Sequence, residues 1–126
     1  SAGELDAAIL GAPIDHPDIR PLFPDPAAAA ADWRRRHGAI QINHMVVAKN
    51  AALDAHPDAI REVYRQLAAS RRAAGAPSQG EIDLNPFGLE ANRRNLEAAI
   101  DCVHVQGLID RRYDVDDLFD DVTRAL

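Results

Sequence analysis

Between positions 12 and 26 the chain reads APIDHPDIRPLFPDP, with prolines at 13, 17, 21, 24 and 26. Each proline locks φ and removes a backbone donor, so no helix can run through this stretch. It must be extended chain, with room for one short strand around 19–23. The helix-forming part of the molecule therefore begins at Asp25-Pro26, an N-cap followed by proline at the first helical position. That helix is expected to run through the alanines and Trp33 to His37 and to stop at Gly38.

The same argument divides the rest. Leu5 to Leu10 is a short apolar run closed by Gly11-Ala12-Pro13, which reads as a buried strand. AIQINHMVVAK, from 39 to 49, alternates. Ile40, Ile42, His44 and Val46 share one face, and Gln41, Asn43, Met45 and Val47 the other, as in a strand covered on both sides. Asn50 caps a short helical turn ending near Ala55. Pro57 opens a longer helix whose Ile60, Val63, Tyr64 and Leu67 fall at helical spacing. From Gly75 to Gly88 turn residues dominate, and this loop is expected to be the most mobile internal segment. A further helix turns Leu96, Ala99, Ile100 and Val103 inward and ends on Gly107. A last helix starts at Asp114 and carries Leu118, Phe119, Val122 and Leu126 on its inner side. Four substantial helices and two or three short strands make an α+β chain, mostly helical. That is too few strands for a self-contained doubly wound sheet.

With 126 residues the chain has the length of one domain with a modest core, and residues 3–126 are read as one such domain or portion. Ser1 and Ala2 are read as a cloning remnant. A net charge of −6 argues against a broad nucleic-acid surface. No apolar run approaches the roughly 20 residues that span a bilayer, so no membrane partner is expected. The single cysteine, Cys102, excludes an intrachain disulfide.

Two stretches carry a resemblance. RRRHGAIQINHMVVAKN, and PFGLEANRRNLEAAIDCVHVQGLIDRRYDVDDLF from Pro86 onward, resemble the C-terminal part of the 4,5-dihydroxyphthalate decarboxylase family. The matching features are a glycine-led strand with a central histidine, here Gly38 to Val47 with His44, the turn Gly88 to Arg93, and the ending Gln106-Gly107-Leu108. GELDAAI resembles the strand with which such proteins leave their second lobe. Gln41 and Asn43 depart from the family pattern of a proline and a hydrophobic residue before the histidine. The resemblance implies a C-terminal segment of a two-lobed, periplasmic-binding-protein-like α/β fold. It further implies non-oxidative decarboxylation of a dihydroxylated aromatic diacid, with no redox cofactor and a cytoplasmic location. Family proteins are much longer, so a complete cleft is not expected from this chain alone. A solute-binding protein for a small anion, located in the periplasm, is the alternative with the same architecture. A self-standing helical interaction domain is the other, and self-association is left open.

The chemistry needs a general acid near the ring carbon and cationic donors for the retained carboxylate. His44 is the candidate acid; the competing reading is a partly buried histidine that satisfies a backbone carbonyl. Arg93 is the candidate carboxylate clamp, with Glu90, Asn92 and, beside the histidine, Asn43 completing the substrate-binding set. The competing reading is a solvated first turn in which Glu90 pairs with Arg93 or Arg94 and offsets arginine's conflict with the helix dipole. On the residues alone that self-compensated turn is preferred. No metal site is expected. Cys102 and His104 face different sides of a helix, and DVDDLFDD lacks the glycine and the final glutamate of an EF-hand.

Overall fold

The computed structural model describes residues 5–12, 14–75, 77–78 and 81–126. The readings of Ser1, Ala2, Gly3 and Pro13 fall outside them. The protein divides into two compact units, Ser1–Trp33 and Arg34–Leu126.

In the first unit residues 14–25 are irregular chain, as the missing donors of the prolines require. One turn is closed by Ile19 N–H donating to the His16 carbonyl at 3.0 Å. The strands expected at 5–10 and 19–23 are not formed. A strand persists only when a neighbour pairs its backbone, and flanking prolines cannot supply that ladder. Leu5, Ile9 and Leu22 are accordingly exposed. Helix α1, Pro26–His37, starts as expected. Ala28 N–H donates to the Asp25 carboxylate at 2.9 Å, and Ala29 N–H to the Asp25 carbonyl at 3.1 Å.

In the second unit α1 ends where Gly38 takes φ +60° and its N–H returns to the Arg34 carbonyl at 2.8 Å. α2 is Asn50–Ala55, and Asn50 is its first helical residue; Lys49, not Asn50, holds the cap position. α3 is Pro57–Ala73, entered through the expected proline. α4 is Leu89–Val105. It closes in a Schellman motif about Gly107 at φ +71°: Leu108 N–H reaches the Val103 carbonyl, and Gly107 N–H that of His104, both at 2.9 Å.

The chain end differs from the single helix expected after Asp114. A 3₁₀ turn, Val115–Leu118, is followed by an extended Phe119 and a one-turn α5, Asp121–Arg124. Two capping residues six positions apart explain the break. Asp114 N–H donates to the Asp117 carboxylate at 3.2 Å. Asp120 then starts its own cap: Thr123 N–H donates to its carboxylate at 2.7 Å, and Asp120 N–H donates to the Thr123 hydroxyl at 3.0 Å. A second N-cap ends one helix by beginning another.

Leu96, Ile100 and Val115 form the core, with Ile42, Leu89, Ile109 and Phe119 packed against it. No strand is present among the described residues, so the molecule is mostly helical and the strand expected at 38–47 is not formed. Segment 40–49 is irregular chain that carries Ile42 to the core instead of pairing with a neighbour. Among the described residues no helix is long and apolar enough to cross a membrane.

Candidate functional site

A groove of about 720 Å³ runs between the 40–48 segment, α3, the loop before α4 and the start of α4. Its apolar walls come from Ile42, Val63, Leu67, Leu84 and Phe119. Tyr64 and Phe87 stand together in it with ring centroids 5.0 Å apart and tilted by 46°. The α3 stripe read from the sequence supplies one wall, but Val63 is 50% exposed because the groove is open. His44, Asn43 and Asn92 also line it; Glu90 and Arg93 do not.

His44 departs from the expected partial burial. It is exposed, and it has no hydrogen bond or ion pair among the described residues. It is therefore not the buried histidine that satisfies a carbonyl. A side chain on an unpaired segment has no second layer over it, which is what the expected strand would have required. Asn43 is likewise exposed and without a partner among the described residues.

Asn92 is committed to the backbone. Its amide donates to the Pro86 carbonyl at 2.7 Å and to the Gly88 carbonyl at 3.0 Å. Its own oxygen accepts from Asn95 at 3.1 Å, and Asn95 in turn accepts from Ile40 N–H at 2.7 Å. Asn95 is only 6% exposed. This relay fastens the loop before α4 and the 40–48 segment to α4, which is how the groove keeps its two sides. Sequence reading passed over Asn95; its signal was an asparagine one position before Leu96 on the inward face.

Arg93 sits between two carboxylates outside the groove. It meets Glu90 at 2.8 Å and Asp116 at 3.2 Å, linking the first turn of α4 to the 3₁₀ turn. Hydrogen bonds donated to Glu90 and then to Asp116 raise its pKa further, and Arg93 holds the Glu90 carboxyl below its ordinary value. Arg94 goes elsewhere, donating to the His37 carbonyl at 2.9 Å and to Glu97 at 3.1 Å. The entry turn of α4 is thus internally compensated, as preferred from the residues alone.

The cation that does line the groove is Arg71, at the end of the α3 stripe. It grips Asp83 through both carboxylate oxygens at 2.9 and 3.0 Å, and it donates to the Asn85 and Gly75 carbonyls. Within the 75–88 loop these contacts hold Gly75, Asp83 and Asn85. The signal was legible: Ile60, Tyr64, Leu67 and Arg71 continue one helical stripe.

Among the described residues no group of three His, Cys, Asp or Glu side chains gathers to hold a metal ion. Comparison with models of protein families, with curated proteins and with solved structures finds no match to this chain.

Proposed function

We propose that the chain is the C-terminal portion of a two-lobed carboxy-lyase resembling the 4,5-dihydroxyphthalate decarboxylases, acting in the cytoplasm on a small aromatic carboxylate. The observation that carries the reading is His44: a partnerless, exposed imidazole on the wall of an apolar groove that also holds a Tyr64–Phe87 pair. An imidazole with both nitrogens uncommitted is able to deliver a proton to a ring carbon held against those side chains. No redox cofactor enters, because loss of carbon dioxide followed by protonation leaves the oxidation balance closed.

The carboxylate grip in this reading moves away from Arg93, whose guanidinium is shared by Glu90 and Asp116. The open groove supports a role for further polypeptide, since Val46 and Val47 are 77% and 85% exposed beside it. In this reading the missing wall, the strand pairing of 38–47 and the remaining substrate contacts come from the rest of a longer protein. The 126-residue chain by itself then shows no turnover.

The test is carbon dioxide release from 4,5-dihydroxyphthalate by the longer protein and by its His44→Asn variant. The expected result is a kcat lowered about 100-fold or more, with substrate binding nearly kept. Unchanged activity per folded molecule in His44→Asn refutes the catalytic role. Binding of an aromatic acid without any turnover identifies a solute-binding protein of the same architecture instead.

A further inference from the structure

A second cavity lies in the Arg34–Leu126 unit. Its volume is about 320 Å³, and its lining includes Arg34, Gly38, Ala39, Asp83, Arg94 and Asn95. Its polar groups balance unevenly. Asn95 has spent its oxygen on Ile40 and an N–H on Asn92. Asp83 is matched by Arg71, and Arg94 by Glu97.

The Arg34 side chain has no partner among the described residues, and its Nε is buried without a hydrogen bond. A buried donor left unsatisfied costs free energy, and more so on a cation. Two further donors stand spare at the same cavity. The Arg94 Nη2 makes no hydrogen bond, its Nε and Nη1 being used on His37 and Glu97. Ala39 is 5% exposed, and its N–H, just after the left-handed Gly38, has no partner among the described residues. Spare donors from the end of α1 and the start of α4, one uncompensated charge and no carboxylate left over describe an acceptor-only ligand.

We propose that this cavity binds a small oxyanion, a carboxylate or a phosphate, with the Arg34 guanidinium as its principal partner and Arg94 and the Ala39 N–H as supporting donors. The site is separate from His44 and does not rest on the carboxy-lyase reading.

The test is calorimetric titration of the 126-residue chain, at low ionic strength, with inorganic phosphate and separately with phthalate. The expected result is one saturable site for at least one of them. Arg34→Met is expected to weaken it about tenfold or more, the worth of a charged hydrogen bond, while Arg112→Met leaves it unchanged. Saturation by phthalate alone identifies the carboxylate, and by phosphate alone the phosphate. If circular dichroism shows that Arg34→Met has lost helix, Arg34→Lys replaces it, keeping the charge but losing the fork, and is also expected to weaken binding. Absence of saturable binding for both anions overturns the proposal. So does binding that survives the Arg34 substitution, or that falls equally in Arg112→Met.

Discussion

Arg71→Met removes the side chain that ties the loop before α4 to α3, and its cost can be worked from the contacts. The guanidinium loses a two-oxygen pairing with Asp83 at 2.9 and 3.0 Å, and bonds to the Asn85 and Gly75 carbonyls at 3.3 and 2.5 Å. Breaking charged hydrogen bonds costs about 1.5–3 kcal/mol when the partners are desolvated. Here Arg71 and Asp83 side chains are 26% and 39% exposed, so water takes over part of the role. A loss of about 1–2 kcal/mol is the discounted figure. For a chain of this length, whose unfolding entropy scales with residue number, that corresponds to a Tm lower by about 4–8 °C. The loss is local in origin, so hydrogen exchange distinguishes it from general destabilisation. Amides of residues 81–88 should exchange about 5–30 times faster, while those in the middle of α4 change only with global stability. A double-mutant cycle with Asp83→Ala should return a coupling of about 1 kcal/mol. Unchanged exchange at 81–88, together with a coupling below about 0.3 kcal/mol, would show that Arg71 does not hold the loop.

Asn95→Ala strands the Ile40 N–H and the Asn92 oxygen, and is expected to cost about 1–3 kcal/mol in denaturant unfolding; a cost under half of that refutes the relay. Leu96→Ala, at a 3% exposed core position, should cost about 2–5 kcal/mol by the same measurement. Acid also has a defined effect on α3. Hydrogen bonds from Arg65 and then Gln66 lower the Glu62 pKa from 4.5 to about 2. The folded state therefore holds the proton less tightly than the unfolded one, and the resulting stability is present above pH 4.5 and lost as pH falls towards 2. Glu62→Gln should flatten that part of the acid limb in thermal melts followed by circular dichroism, whereas an unchanged limb refutes the linkage.

Local chemistry made much of this protein readable in advance. Asp25-Pro26 and Gly38 bound α1, Pro57 opens α3, and Gly107 closes α4, because caps and fixed φ angles act within a few residues. Leu96 and Ile100 were recognisable as inward by spacing. The pairing of Glu90 with Arg93 was readable for the same reason, being one helical turn long.

Contacts between distant positions were decided only by the tertiary structure. Arg93 meets Asp116 across 23 positions, Asn95 meets Ile40 across 55, and Arg94 meets His37 across 57. Alternation in 40–48 specifies a strand's two faces but not a neighbour to pair with, and in this structure Ile42 is drawn to the core while His44 is left exposed. The chain end shows the same division. Its aspartates announce helix starts, but the break at Phe119 follows from the second cap at Asp120 and from Phe119 packing against the Leu96–Ile100–Val115 core. Which carboxylate an arginine meets, and so which arginine keeps a spare charge, depends on the packing of elements that no local periodicity encodes.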